Sequence, residues 1–138
     1  VQAEEIYWRL VRPGRADDIG PLHADAWFWE LGHGRLPANR RRIKVWVAVL
    51  VEPGCNGLRV VPGSHRHDWP YGSEQHGDKR KPVFDEAKHA IVADLLPTPP
   101  GDAIWFHDRL LHGGALNRGH TTRVSFEMTL SVAATALA

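Results

Sequence analysis

The segment IKVWVAVLV, residues 43–51, decides the fold class of this chain. It is almost entirely apolar and rich in β-branched side chains, which predicts a strand buried on both faces. Other segments with β-branched and aromatic residues alternate with turns of Gly, Pro, Asn and Asp. This alternation predicts further strands at residues 5–11, 22–29, 58–61, 90–95, 103–107 with a continuation through a bend to His112, and 122–132.

The sequence has about seven or eight predicted strands and no clear helix. This pattern predicts an all-β sandwich or barrel. The chain has 138 residues, and we expect residues 1–138 to form one domain. Residues 32–42 and 66–88 are predicted to be polar loops that form the substrate pocket, the second being long enough to act as a lid. The three consecutive arginines at residues 40–42 are expected to be solvated.

Composition and charge argue against several classes of function. The net charge of +1, from 17 Lys and Arg and 16 Asp and Glu, gives no basis for binding nucleic acid or an anionic membrane. No apolar run approaches a membrane span and no signal peptide is visible, so we expect a cytoplasmic protein that acts on a small molecule. The single cysteine, Cys55, excludes an intramolecular disulfide and a multi-cysteine zinc site, and we predict a loop thiol.

The triplet His23-Ala24-Asp25 is the first indication of a metal site. On a strand, residues i and i+2 point to the same face, so His23 and Asp25 would present an imidazole and a carboxylate together. A carboxylate in such an apolar run needs a partner, either a metal or an arginine. A second histidine from a distant strand would complete two nitrogens and one oxygen, the set that suits a non-heme Fe(II) centre.

Four histidines compete for the third ligand position: His65, His67, His107 and His112. His107 and His112 differ by five positions, so on one regular strand they would face opposite ways. His112 precedes Gly113-Gly114, which lets the backbone approach a bulky site closely. We therefore predict His112 as the ligand, with His107 as a nearby residue outside the metal's ligand set.

The last strand and the central strand supply candidate cosubstrate contacts. Arg123 and Ser125 share one face of the predicted strand 122–132, and that face is either solvated or turned into a barrel. Inside a barrel, the guanidinium and the hydroxyl would grip a carboxylate. Trp46 shares a face of strand 43–51 with Lys44, and its ring would be core or part of a cosubstrate wall.

Three longer segments carry a resemblance to a known family. They are VWVAVLVEPGCNGLRVVPGSH (45–65), GDAIWFHDRLLHGGALN (101–117) and TTRVSFEMTL (121–130). With the His-x-Asp triplet, they resemble the phytanoyl-CoA dioxygenase (PhyH) family of Fe(II)/2-oxoglutarate-dependent oxygenases. The resemblance covers most of the chain from about Leu22 onward and keeps the order and spacing of the family's motifs.

The resemblance implies a double-stranded β-helix, the jelly roll of cupin-like barrels, with iron at one mouth. Its motif positions imply His23, Asp25 and His112 as iron ligands. They also imply that Arg123 holds the far carboxylate of 2-oxoglutarate, with Ser125 and Trp46 beside it. The implied reaction hydroxylates an aliphatic C–H of a small molecule and releases succinate and CO2.

The ligand set bears on the type of reaction. Asp25 occupies the position that iron halogenases of this superfamily leave free for chloride, so the resemblance favours hydroxylation over halogenation. Desaturation, ring closure and epimerisation stay open.

The chain departs from the family pattern in two ways. Family members usually carry an N-terminal helical region that buttresses the barrel, and this sequence has almost none. The turn at Val51-Glu52-Pro53 also holds fewer acidic residues than usual. Two alternatives follow: a cupin-like barrel that binds a metal or small molecule without oxygenase activity, or a truncated inactive fragment.

Overall fold

The computed structural model describes residues 2–137, and within that range it contains nine strands and one short α-helix. No helix within residues 2–137 is long and apolar enough to cross a membrane. In chain order the elements are β1 (Gln2–Val11), α1 (Asp25–Glu30), β2 (Arg40–Leu50), β3 (Leu58–Val60), β4 (Gly72–His76), β5 (Lys79–Val83), β6 (Asp94–Leu95), β7 (Ala103–His107), β8 (His112–Gly114) and β9 (Arg123–Ala133). Single 3₁₀ turns cover Ala16–Asp18, Ser64–Arg66, Glu86–His89 and Ala134–Leu137.

Two antiparallel sheets build the domain's core. The larger sheet has the strand order β1-β9-β2-β7, and the smaller has the order β6-β3-β8. An isolated bridge between His23 and His112 extends the smaller sheet by one position beyond β8. A cluster that includes Trp46, Leu58 and Phe106 fills the space between the sheets. From β6 onward, successive strands alternate between the smaller and the larger sheet, as in a double-stranded β-helix. The all-β, jelly-roll prediction is confirmed.

The register of the larger sheet sets which side chains face inward. Lys44 lies opposite Thr129, and Ala48 lies opposite Ser125. All four side chains are buried, together with Arg123 at the start of β9. The face that Arg123 and Ser125 share is therefore the inner face of the barrel, one of the two readings that the sequence left open.

The predicted strand at residues 22–29 is wrong. Only His23 pairs with another strand, and a helix begins at Asp25. The Ala26 N–H donates to the Asp108 carbonyl, while Trp27 packs in a second core cluster with Leu22. A short apolar run fits either a buried strand or a buried helix, and packing of the tryptophan ring decides between them here.

Other differences concern the predicted loops. Residues 40–42 are not a solvated loop but the beginning of β2, and Arg42 is 7% exposed. Residues 66–88 contain the hairpin β4–β5, whose strands are mostly polar and so lack apolar alternation. Of the predicted strand 90–95, only Asp94–Leu95 pairs. The other predicted strands agree to within the uncertainty of strand ends, except that β1 begins earlier, at Gln2.

The loop before β9 is held by one carboxylate. Glu52 Oε1 accepts hydrogen bonds from the His120 N–H at 2.8 Å and from the Thr121 N–H and hydroxyl, both at 2.9 Å. A Cβ added at Gly119 would collide with the Glu52 carboxylate. The absence of a side chain at Gly119 thus lets Glu52 fix the loop that leads into Arg123.

We expect Gly119→Ala to lower the free energy of unfolding by about 1–3 kcal/mol, the usual cost of forcing an extra methyl group into filled space. The new methyl group must displace Glu52 from the hydrogen bonds that hold the loop. Gly20→Ala is the matched control, because a Cβ there meets nothing within 4 Å. Urea denaturation of both variants measures the difference, and equal stability would contradict the role given to Glu52.

Candidate metal centre

His23, Asp25 and His112 converge where the start of α1 meets β8. Their possible ligand atoms all lie within 4.8 Å of one another. His23 Nε2 is 3.6 Å from Asp25 Oδ1, and His112 Nε2 is 3.4 Å from Asp25 Oδ2. The two histidines are fixed by reciprocal backbone hydrogen bonds of 3.0 Å, and the turn into α1 places Asp25 between them. The structure thus brings the three predicted residues together, although the strand argument for Asp25 is wrong, since Asp25 begins a helix.

Backbone carbonyls orient both imidazoles. Nδ1 of His23 lies 3.1 Å from the Pro21 carbonyl, and Nδ1 of His112 lies 2.8 Å from the Leu110 carbonyl. Because a carbonyl oxygen only accepts hydrogen bonds, each Nδ1 carries a proton, and each ring in its neutral form keeps its lone pair on Nε2. The lone pairs point into the cluster with Asp25, as in histidines that bind metals.

Buried atoms without partners show that a cation fits this cluster. His112 Nε2 and Asp25 Oδ2 are both buried and make no hydrogen bond. Leaving such atoms unsatisfied costs free energy unless a ligand satisfies them. Two imidazole nitrogens and one carboxylate oxygen are the protein donor set of non-heme Fe(II) sites.

The charge states of the cluster also favour a cation. Burial opposes ionisation of Asp25, but the neighbouring imidazoles and the Lys44 ammonium hold its pKa well below the usual range. Burial lowers the pKa of His112 to about 4, so this ring is neutral at neutral pH. The Lys44 ammonium, 3.2 Å from Asp25 Oδ2, adds to this stabilisation of the ionised carboxylate. An ionised carboxylate and a neutral imidazole are the forms that bind a metal.

The other candidate histidines lie outside this cluster. His107 is 52% exposed at its side chain and pairs with Asp108 at 3.1 Å. His65 stacks on His107 with ring centroids 5.7 Å apart, and His67 packs edge-on against Trp69. The structure therefore brings His112, and not His107, to His23 and Asp25. A surface cavity lined by residues 61–64, residues 66–70 and His89 contains none of the three clustered residues.

Arg123, Ser125 and Trp46 form a second group on the inner face. Arg123 is 3% exposed, and its Nη1 donates to the Gly57 carbonyl at 2.7 Å. Its Nε and the Ser125 hydroxyl are buried without a hydrogen-bond partner. The Arg123 guanidinium carbon lies 5.9 Å from the Trp46 ring centroid. Burial lowers the pKa of Arg123 to about 10, which leaves it charged at neutral pH and suited to a carboxylate.

Sequence reasoning missed the role of Lys44. Its ammonium lies 3.2 Å from Asp25 Oδ2 and donates to the Thr129 hydroxyl at 2.8 Å. A signal was present, since Lys44 interrupts an apolar strand on the same face as Trp46. It also missed Phe106, whose ring centroid is 4.6 Å from that of His112. No spacing rule identifies such a contact before the fold is known.

The family comparison covers most of the chain. The sequence profile described as Phytanoyl-CoA dioxygenase (PhyH) matches residues 6–125. Among curated proteins, no significant sequence match was found.

Solved structures with the same fold include EvdO2 from Micromonospora carbonacea var. aurantiaca, complexed with 2-oxoglutarate. It is 23% identical, with a TM-score of 0.67 over 94% of this chain and 52% of EvdO2. EctD from S. alaskensis, with 2-oxoglutarate and 5-hydroxyectoine, is 23% identical, with a TM-score of 0.59 over 96% of this chain and 46% of EctD. The α-ketoglutarate-dependent epimerase SnoN, from nogalamycin biosynthesis, is 18% identical, with a TM-score of 0.58 over 96% of this chain and 47% of SnoN. The chain spans about half the length of these proteins.

Proposed function

The chain belongs to the phytanoyl-CoA dioxygenase family, and from this premise we propose that it is a non-heme Fe(II)/2-oxoglutarate-dependent oxygenase. The observation that carries the proposal is the pairing of two groups of mostly buried polar residues, the second of which lies on the inner face of the larger sheet. A cluster of two imidazoles and a carboxylate suits Fe(II). A buried guanidinium and hydroxyl with unpartnered donors suit the carboxylate of a cosubstrate.

We assign the residues as follows. His23, Asp25 and His112 hold Fe(II), with the Pro21 and Leu110 carbonyls fixing the two imidazole rings. When bound together, iron and 2-oxoglutarate supply oxidising chemistry that consumes O2 and releases succinate and CO2.

The deep end of the barrel receives the cosubstrate. Arg123 grips the far carboxylate of 2-oxoglutarate, and Ser125 donates a further hydrogen bond. Trp46 forms the wall beside them. Arg123 is itself aimed by the Gly57 carbonyl, which takes one Nη1 hydrogen and leaves Nε for the ligand.

Within this function we propose hydroxylation of an aliphatic C–H of a small molecule. Asp25 supports it, because a carboxylate occupies the coordination position that halogenation requires for chloride. The similar structures include one complexed with 5-hydroxyectoine and one described as an epimerase, so the fold alone does not select the reaction. Mass analysis of a product made under ¹⁸O2 separates hydroxylation, which adds one labelled oxygen, from desaturation, ring closure and epimerisation, which add none.

The test of the proposed function needs no substrate. The purified chain is incubated with Fe(II), ascorbate, 2-oxoglutarate and O2, and succinate is measured against a sample without iron. We expect slow succinate formation that requires the metal. A protein that binds Fe(II) with its cluster intact but neither binds 2-oxoglutarate nor forms succinate would instead be a metal-binding barrel or an inactive fragment.

A further inference from the structure

The most unusual charge in the barrel is the ammonium group of Lys44. It is 3% exposed and lies in the middle of β2, where strands cover it on both sides. Its two close partners are the Thr129 hydroxyl, at 2.8 Å, and Asp25 Oδ2, at 3.2 Å. The ammonium therefore forms an ion pair with Asp25, a residue that the proposed function needs as a metal ligand.

The contact with Asp25 is on the oxygen that faces the metal cluster. Asp25 Oδ2 lies 3.4 Å from His112 Nε2, and the same atom faces the ammonium. It makes no hydrogen bond, so the ammonium serves Oδ2 as a counter-ion and not as a well-aligned donor. The charge of Lys44 thus takes the electrostatic place of a metal cation on Asp25.

Elementary electrostatics gives the sign of the effect. In the metal-free site, the Lys44 ammonium attracts the Asp25 carboxylate and stabilises it. When a divalent cation binds Asp25, the ammonium repels that cation twice as strongly as it would repel a univalent one. Both effects weaken metal binding. A residue that only orients a ligand strengthens metal binding, typically by about 10–100-fold, and therefore has the opposite sign. The absence of a hydrogen bond to Oδ2 makes orientation the weaker contribution of Lys44.

A dianionic ligand reverses the balance. A divalent metal and the 2-oxoglutarate dianion together carry no net charge, so most of the repulsion from Lys44 disappears when both are bound. Because coupling between two ligands is reciprocal, the metal and the dianion each tighten the binding of the other.

We propose that Lys44 is an internal counter-ion of Asp25 that makes the binding of metal and 2-oxoglutarate interdependent. The inference rests on the proposed function for the identity of the second ligand, but its effect on the metal alone does not. Lys44 acts through Asp25 and is a positioning residue. The protein then holds its metal weakly until the cosubstrate arrives, which limits the time that a metal without cosubstrate meets O2.

The test is a titration of Mn²⁺ into the protein in an isothermal titration calorimeter, with Mn²⁺ as a redox-stable substitute for Fe(II). In the absence of 2-oxoglutarate, Lys44→Met should bind Mn²⁺ at least about tenfold more tightly than the wild type, about 1.4 kcal/mol. Lys44→Gln, which is also neutral but polar, should agree with it. Lys44→Arg keeps the charge and should bind no more tightly than the wild type. Unchanged or weaker Mn²⁺ binding in both neutral variants would overturn the proposal and leave Lys44 as an orienting residue.

The rise in unfolding temperature that metal causes is a readout that loss of a purely structural lysine would not change. In EDTA, Lys44→Met should unfold at a lower temperature than the wild type, because Asp25 is left buried without its counter-ion. Saturating Mn²⁺ should raise the unfolding temperature more in the variant than in the wild type. An equal rise in both proteins would count against the proposal.

If the neutral variants fail to fold, Mn²⁺ binding to the wild type alone provides a further test. Its Mn²⁺ dissociation constant should fall at least about tenfold when 2-oxoglutarate is saturating. A dissociation constant that does not change, although 2-oxoglutarate binds, would overturn the proposal. If 2-oxoglutarate does not bind at all, the proposed function fails, while the metal-only comparison of wild type and variants still decides the role of Lys44.

Discussion

Replacement of His112 by alanine is expected to weaken Fe(II) binding and reduce succinate formation by at least about 100-fold. Partners that merely orient a metal ligand are worth about 10–100-fold in metal affinity or activity, so removal of a ligand itself must cost at least the upper end. The loss cannot be replaced by a neighbour, because the cluster contains one imidazole on each side of Asp25.

His107→Ala is the matched control for this prediction. It removes the same side chain five positions earlier, from a residue that is 52% exposed and outside the cluster. We expect this variant to keep most of its metal binding and turnover. Asp25→Ala should abolish turnover while the two imidazoles retain some metal. Equal and complete loss of metal in the His107 and His112 variants would contradict the assignment of His112.

The second large effect is expected at Arg123. Arg123→Ala should weaken 2-oxoglutarate binding by about 2–5 kcal/mol, because it leaves a carboxylate buried without its charged partner. Fe(II) binding should be almost unchanged, since no ligand of the cluster is touched. Arg123→Lys keeps the charge but loses the planar fork and one of the two parallel hydrogen bonds, so it should fall between the wild type and Arg123→Ala.

Arg118→Ala is the control for the change of charge. Arg118 lies on the surface, a few residues before Arg123 in the chain. Anaerobic titration of 2-oxoglutarate into the Fe(II) protein measures the affinity of each variant. If the affinity of Arg123→Ala equals that of the wild type, the cosubstrate assignment fails, and a metal-binding barrel without oxygenase activity becomes the better description.

The sequence predicted the parts of the fold that rest on long, strongly patterned segments. The central strand was recognisable from its almost continuous apolar run, and the last strand from side chains that alternate between two faces over many residues. The same alternation placed Arg123 and Ser125 on a common face. It could not decide whether that face was inside the barrel, because alternation does not reveal which side of a sheet another sheet will cover. The single-domain organisation and the cytoplasmic location stay predictions.

Where the sequence failed, tertiary packing decided the local structure. Residues 22–29 read as a strand, but stacking of Trp27 on Tyr71, with ring centroids 4.5 Å apart, accompanies a helix that begins at Asp25. Arg42 belongs to a run of arginines that reads as solvated, yet its guanidinium lies 4.0 Å from the ring centroid of Trp29. Both features depend on partners distant in the chain, which composition and spacing do not identify.

The candidate site shows the same division. His23, Asp25 and His112 could be chosen from residue type and motif order, and the structure brings them together. The partners of these residues could not be predicted from the sequence. The carbonyls that bind the two rings are placed by the backbone path, and Lys44 is placed beside Asp25 by the register of β2. These partners determine the charge state of the site, which is the part that sequence alone left undescribed.

One measurement tests the central claim most directly. Fe(II) and then 2-oxoglutarate are added to the protein without O2, and the visible spectrum is recorded for a metal-to-ligand charge-transfer band. We expect the band to appear only when both are present, to be absent from Asp25→Ala, and to require more 2-oxoglutarate in Arg123→Ala. A wild-type protein that binds Fe(II) yet shows no band at any concentration of 2-oxoglutarate would contradict the assignment of this barrel as a 2-oxoglutarate-dependent oxygenase.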